Sequence, residues 1–403
     1  MRNDHIFRND VLPQNEGLAA AGIPVPDLPT EPTVLVLLPL LPSADRLLPY
    51  LRRIDETRFY SNRGPLSREL EERLAVALAL PQDGLICASS GTAALVGAIL
   101  ATAGPATPER PLAIIPAFTF AATASAVAQC GYQPYLADVD PDSWMLAADR
   151  LVDHPQRRRI GLVVPVAPFG RPVPQEPWRR LRATTGIPVV IDGAASFAGL
   201  AERPEEFLGA IPVMISFHAT KAFATGEGGA VATSDVELAQ RSAQALNFGI
   251  SSVRDCCMAS TNGKMSEYHA AVGLAELDAW PEKLALFRSV AVRYRRALET
   301  AGLADGFYGT PDIGPNYVLF RCHDAGEAAH VDECFTQANI GFRLWYGNGL
   351  HHQTYYANLA RDALGVTDAI APCLLGLAMA PDLEDATIAR VVGVLADAVR
   401  HNK

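Results

Sequence analysis

Lys221 stands in a setting that suits covalent chemistry. Residues 212–217 read as a buried strand, and Ser216-Phe217-His218-Ala219-Thr220 brings small and hydroxyl side chains to its end before the lysine is presented. Gly226-Glu227-Gly228-Gly229 then turns the chain into a second short apolar run, 229–233. A lysine just past a strand end, with hydroxyls nearby, suits a Schiff base to a phosphorylated aldehyde cofactor. The plain alternative is a solvated lysine in a turn, where most lysines are found.

Other segments carry compatible chemistry. Ser89-Ser90-Gly91-Thr92-Ala93-Ala94 lies between a strand and a helix. Backbone N–H groups at a helix start, with hydroxyls and no bulk, make a phosphate cup, and they also make an ordinary helix cap. Pro116-Ala117-Phe118-Thr119-Phe120 again joins strand to helix, and Phe120 is the expected stacking partner for a flat ring. Asp192 follows Val189-Val190-Ile191. An acid at the end of a buried strand is costly unless it meets a cation, and a protonated pyridine nitrogen is such a cation. A turn or cap aspartate is the competing reading. Asn247-Phe248-Gly249 and Thr261-Asn262-Gly263-Lys264-Met265-Ser266-Glu267 read by themselves as turns, the second opening a helix at Ser266.

Alternating elements must hold these residues. Short apolar strands are expected at 84–88, 112–115, 134–137, 161–166, 188–191, 212–217 and 229–233, with helices such as 92–103 and 121–130 between them. That alternation predicts a mostly parallel sheet of seven strands flanked by helices, an α/β large domain. Ligands of such sheets bind outside the carboxyl ends of the strands, where the chemical residues fall. Ser43 is expected to cap a helix with Leu47, Leu48 and Leu51 on its apolar stripe. A stronger amphipathic helix follows over 66–79, with Leu70, Leu74 and Leu78 on one face. Past Pro281 the pattern changes to helix 283–301, strand 317–322, helix 328–338, the segment 341–346 and helix 383–399, a smaller α+β domain. The organisation expected is an N-terminal arm at 1–45, a large domain at 46–280 and a small domain at 281–403.

Composition narrows the function classes. The 403 residues are 49% hydrophobic and 19% charged, as expected of a globular chain with a large core. A formal charge of -10 without a basic run argues against nucleic acid as partner. The seven cysteines are scattered, odd in number and without metal-ligand spacing, so no metal is expected and reduced thiols in a cytoplasm are. The first ten residues carry two Arg and two Asp, unlike a signal peptide, and the apolar run 34–41 contains Pro39 and is too short for a bilayer, so no membrane is expected. That run is expected as a buried or interface segment.

Taken in order, the segments resemble one family. Tyr60-Ser61-Asn62-Arg63-Gly64-Pro65, Ser90-Gly91-Thr92, Pro116 to Phe120, Val190-Ile191-Asp192, Ser216 to Lys221, Gly226 to Gly229 and Asn262 to Glu267 are similar to the pyridoxal-phosphate-dependent sugar aminotransferases known as DegT/DnrJ/EryC1/StrS, of fold type I. The resemblance implies that Lys221 carries pyridoxal phosphate and moves a proton, and that Asp192 pairs with the ring nitrogen. It implies that Gly91, Thr92, Ala93 and Ser216 bind the phosphate and Phe120 stacks on the ring. Asn247 then reaches the phosphate of a neighbouring subunit, so a homodimer with shared sites is implied. Asn62, Asn262, Lys264 and His351 are the implied substrate contacts.

Where the family usually has His or Gln, this chain has Ala195, and Ser196 is the expected replacement. The histidine segment Tyr346 to Gln353 matches only loosely. The implied reaction aminates a keto-sugar, a nucleotide-linked 4-keto-6-deoxy hexose, with glutamate as donor. A cyclitol or other ketone is the alternative substrate. The related dehydratases have His where Lys221 stands. A non-catalytic regulator would need a DNA-binding surface or a lost lysine.

Overall fold

The computed structural model of the chain describes residues 33–251 and 255–400. The expected N-terminal arm lies outside the described residues as far as residue 32. Seven strands occupy the first part: β1 (Leu85–Ala88), β2 (Leu112–Pro116), β3 (Gln133–Ala137), β4 (Ile160–Val163), β5 (Ile191–Asp192), β6 (Val213–Ser216) and β7 (Gly229–Ala232). Strands β1, β2, β4, β6 and β7 are buried at every residue, which is why they read as continuous apolar runs rather than alternating ones.

The helices that connect or cover these strands are α1 (Ala44–Thr57), α2 (Pro65–Ala77), α3 (Gly91–Thr102), α4 (Ala121–Gln129), α5 (Gln175–Thr185), α6 (Val236–Ala245) and α7 (Glu267–Ala301). Helix α3 is apolar almost all round because it packs on β6 and β7 and also on α4 and α6. No helix among the described residues is long and apolar enough to cross a membrane.

The strands do not form one unbroken ladder. Parallel order β3-β2-β4 makes one sheet, and β1-β7-β6-β5 makes another, with β5 and β6 parallel and β7 antiparallel to both neighbours. Parallel bridges Val163–Val189 and Val166–Asp192 join the two. Val163 N–H donates to Pro188 O (3.0 Å) and Val190 N–H returns to Val163 O (3.1 Å). Asp192 N–H donates to Pro165 O (2.9 Å), and Ala167 N–H to Asp192 O (2.9 Å). Pro165 has no N–H to add, so the ladder breaks there, and of the strand expected over 188–191 only Ile191 joins the regular β5 ladder, with Asp192 beyond it.

Two helix details differ from expectation. Ser43 is the N-cap of α1, but its carbonyl, not its hydroxyl, takes the first-turn bonds from Arg46 and Leu47. Leu48 is exposed, and Ile54 supplies the buried contact. Helix α2 keeps Leu70 and Leu74 fully buried, with Leu78 just past its end. Its N-terminus is capped from afar: the buried Glu267 carboxylate accepts from Leu66 N–H (2.7 Å) and Ser67 N–H (2.9 Å).

Pro281 does not start a new element. Helix α7 runs through it, because Trp280, Phe287, Val290 and Tyr294 are buried on either side of the lost hydrogen bond. Beyond α7 an antiparallel sheet of β8 (Phe307–Tyr308), β9 (Leu319–Arg321) and β10 (Leu374–Gly376) has β9 in the middle. Helices α8 (Ala325–Gln337) and α9 (Asp385–Arg400) pack together, and α9 also packs on α7. Arg343 extends this sheet by bridging Gly376, and the 34–37 segment joins it through Val34–Ile340 and Leu37–Met379. Only Val34 of the apolar N-terminal run is buried; Leu35, Leu38 and Leu40 are exposed.

Candidate active site

Lys221 lies in a loop closed by backbone hydrogen bonds between the ends of β6 and β7. Phe217 N–H donates to Gly228 O (2.9 Å), Ala219 N–H to Gly226 O (2.7 Å) and Thr225 N–H to Phe217 O (2.8 Å). His218 O accepts from Lys221 N–H (2.8 Å), forming the turn that presents the side chain. Asn316 clamps the loop from the C-terminal region by donating from Nδ2 to Thr220 O (3.0 Å). The half-buried Lys221 Nζ donates to the Tyr317 hydroxyl at 3.3 Å.

Asp192 ends β5 and is almost fully buried. Its Oδ2 accepts from the Thr123 hydroxyl at 2.7 Å, and Oδ1 from Ala194 N–H at 3.2 Å. Thr123 in turn shares a 2.9 Å bond with Thr119. Burial pushes the Asp192 carboxyl above its ordinary range, against the pull of Thr123, Ala194 and Lys221. A carboxylate buried with only neutral hydrogen-bond donors lacks a cation.

The segment expected to form a phosphate cup is built by close approach. Ser90 caps α3, its Oγ accepting from Ala93 N–H at 3.1 Å, while first-turn N–H groups at Gly91 and Thr92 have no intrahelical acceptor. A Cβ on Gly91 would lie 2.8 Å from Ser216 Cβ, so only glycine lets α3 sit against the end of β6. Ser216 Oγ accepts from His218 N–H at 3.3 Å. Among the described residues, the buried Ser196 Oγ and Asn316 Oδ1 find no hydrogen-bond partner. A polar cup at a helix start, a strand-end lysine, an uncompensated buried carboxylate and orphaned buried oxygens together fit pyridoxal phosphate.

Aromatic side chains wall this region. Phe118 meets Tyr346 edge-on at 4.9 Å, and Phe169 stacks on Tyr346 at 4.7 Å and meets Tyr317 at 5.7 Å. Tyr346 OH accepts from Phe169 N–H at 3.1 Å, and burial pushes its pKa far above that of an ordinary phenol. Phe120 is outside that cluster; it is the N-cap of α4 and 62% exposed, leaving its ring room for a flat partner. Tyr317, Asn316, Thr119, Thr123 and Tyr346 are contacts to which sequence reasoning assigned no role. Thr123 falls in the helix expected over 121–130, but the 69 positions separating it from Asp192 hid the pairing.

The remaining candidates fall elsewhere. Asn62, Asn247 and Lys264 line a separate cleft of about 310 Å³, in which Lys221 takes no part. Lys264 bridges Ala88 and Asn247 bridges Asn262, so this cleft adjoins the edge strand β1. Lys264 Nζ donates to Asn262 Oδ1 at 2.6 Å. His351 is buried in a short helical turn that Leu350 N–H ties to Ala117 O (2.8 Å), beside the loop after β2. His351 Nε2 bonds Asp368 at 2.7 Å and His352 Nε2 approaches the same oxygen at 3.4 Å. These three residues bring ligand-type atoms within 4.8 Å of one another, a grouping that sequence spacing does not reveal.

Comparison with known proteins extends these motifs to the whole chain. The sequence model of the DegT/DnrJ/EryC1/StrS aminotransferase family matches residues 43–396. Protein Rv3402c of Mycobacterium tuberculosis is 30% identical over 378 residues, covering 92% of this chain and 91% of that protein. The dTDP-4-amino-4,6-dideoxy-D-glucose transaminase of Escherichia coli is 25% identical over 374 residues, covering 90% and 98%. Among solved structures, DesI with its TDP-sugar product superposes with a TM-score of 0.80 at 30% identity, covering 96% of this chain and 97% of that one. With the family matched from α1 into α9, and the lysine, aspartate and phosphate cup standing in one fold, the chain belongs to the DegT/DnrJ/EryC1/StrS aminotransferase family and is a pyridoxal-phosphate-dependent aminotransferase.

Proposed function

We propose that the protein aminates a nucleotide-linked 4-keto-6-deoxy hexose, with glutamate as amino donor. The observation that carries the reading is the strand-end Lys221, whose charge acts on the buried Asp192, in a chain similar along nearly its whole length to an enzyme named for a dTDP-linked amino sugar and to a structure holding its TDP-sugar product. When bound, pyridoxal phosphate supplies an electron sink that makes the amino-bearing carbon acidic. Asp192 holds a positive charge at the ring nitrogen, and Thr123 fixes the carboxylate in one orientation. Gly91, Thr92, Ala93 and Ser216 bind the phosphate. Lys221 takes a proton at one carbon and returns it at another. In the net reaction glutamate would become 2-oxoglutarate and the sugar ketone an amine, so the nitrogen and the two electrons lost by the donor are gained by the acceptor.

Incubation of the purified protein with glutamate and a panel of keto-sugar nucleotides tests the substrate class. The expected product has the mass of the amino sugar nucleotide, with 2-oxoglutarate formed in equal amount. Conversion of a cyclitol ketone with every nucleotide sugar left unchanged would sink the proposal.

The active unit proposed is a homodimer with sites shared between subunits. Lys221 does not line the cleft that Asn247 lines, which supports a role for Asn247 toward the partner's phosphate. Mixing Lys221→Ala with Asn247→Ala protein then gives heterodimers with one doubly damaged site and one intact site. Activity is expected to return on subunit exchange. Proven exchange without recovery would contradict sharing.

A further inference from the structure

We propose that Tyr317 is a positioning residue for amino transfer, its hydroxyl holding the Lys221 amine where that amine moves a proton. Tyr317 is buried and lies just before β9, in the C-terminal part of the chain. Its ring meets Phe169 edge-on at 5.7 Å and Trp345 edge-on at 5.4 Å. Its backbone is braced as well. Tyr317 N–H donates to Gly314 O (3.0 Å), and Gly314 N–H to Phe169 O (2.7 Å). Gly170 permits that close approach: a Cβ there would lie 3.0 Å from Gly314 Cα and 2.5 Å from Ala195 O. The neighbouring Asn316 donates to Thr220 O at 3.0 Å, next to the lysine. Residues 314–317 therefore reach the Lys221 loop as one braced segment and set a phenol 3.3 Å from Nζ.

The aromatic packing asks only for a ring, and phenylalanine would fill the same space. A hydroxyl buried among aromatic rings costs stability unless it is bonded. The bond made by the Tyr317 hydroxyl is to Lys221, with Nζ donating and the phenol oxygen accepting. An ammonium carries three N–H groups and a neutral amine two, so Lys221 can keep this bond in both charge states. In the neutral state the nitrogen lone pair stays free to take a proton. Lys221 gains that proton as a base and gives it back as an acid, while Tyr317 remains a phenol throughout. Lysine has more rotamer freedom to lose than most side chains, so one fixed acceptor narrows the positions from which the transfer starts.

This role rests on the reading of Lys221 as the amine that moves the proton. The test compares the parent with Tyr317→Phe, which keeps the ring, and with protein carrying 3-fluorotyrosine in place of Tyr317, which keeps the hydroxyl. In holoenzyme the donor half-reaction is followed in a single turnover, with ordinary glutamate and with glutamate deuterated at its α-carbon. Tyr317→Phe is expected to slow that half-reaction by about 5–10-fold, with a larger isotope effect and an unchanged dependence on glutamate concentration. In apoprotein at pH 7 the labelling of Lys221 by an amine-selective reagent is measured by peptide mass spectrometry, relative to Lys264 in the same sample. The bond from an ammonium is the stronger of the two, so its loss favours the reactive neutral amine and is expected to speed Lys221 labelling by about 3–10-fold. The fluorinated protein should lie closer to the parent than to Tyr317→Phe in both measurements. Parental rate and isotope effect in Tyr317→Phe, or unchanged labelling of Lys221, would overturn the inference. If Lys221→Ala turned over at the parental rate, the reading of Lys221 would fail instead, and the labelling ratio would still decide whether Tyr317 holds the amine.

Discussion

Lys221→Ala protein is expected to bind pyridoxal phosphate and to turn over about 10²–10⁴-fold more slowly than the parent, the usual worth of a positioned proton-transfer group. The cup at Gly91, Thr92 and Ser216 and the Asp192 carboxylate do not depend on the lysine, so the cofactor keeps most of its binding partners. The loop itself is closed by backbone bonds from Phe217 and Ala219 and by Asn316 on Thr220, none of which uses the Lys221 side chain. The fold and Tm should therefore change little. What disappears is the amine proposed to move the proton, which lies 3.3 Å from the Tyr317 hydroxyl. A single-turnover donor half-reaction followed by absorbance isolates that step from product release. Borohydride reduction gives an independent readout: the parent should carry the cofactor covalently on Lys221, and the variant should carry none. A label found on Lys264, or near-parental turnover without Lys221, would refute the assignment.

Much of the candidate site's local structure could be read from the chain because each of its parts is local. Ser216 to Lys221 announces a strand end and a turn within six residues, and Ser90-Gly91-Thr92 announces a helix start. The buried strands were legible for a similar reason: apolar runs of four or five residues such as β2 and β6 have few alternatives. The contacts that tune the site were not legible, because they join distant segments. Thr123 meets Asp192 across 69 positions, and Tyr317 meets Lys221 across 96. Pro281 misled for a different reason. A proline costs a helix one hydrogen bond, but Trp280, Phe287 and Tyr294 bury enough surface to carry α7 through it. Ser43 looked like a hydroxyl cap, yet solvent at an exposed helix start competes for the same bond.

Asp192→Asn is expected to separate stability from catalysis in opposite directions. The folded-state pKa of Asp192 is raised, chiefly by burial, so without cofactor the charged carboxylate is less favoured in the folded protein than in the unfolded chain. A carboxyl raised in this way costs no stability below its unfolded pKa, and costs more as pH rises through that value toward the folded one. Asparagine removes the charge while keeping the shape. Its carbonyl can take the Ala194 N–H, and its amide can donate to Thr123, whose hydroxyl then donates to Thr119. Apoprotein carrying Asp192→Asn should therefore melt at a higher temperature than the parent at pH 7, with the gap closing at pH values below the ordinary carboxylate range of about 4. Loading with pyridoxal phosphate should reverse the advantage, because only the charged parent pairs with the ring nitrogen, and ligand binding to the folded state adds stability in proportion to its affinity. Turnover should fall on the order of 10²–10³-fold, the range for deleting one preorganised electrostatic partner from a buried site. Two melting curves, with and without cofactor at pH 7, together with one rate, check all three outcomes. Equal cofactor-induced shifts in parent and variant, or parental turnover in the variant, would mean that a group other than Asp192 serves the ring nitrogen.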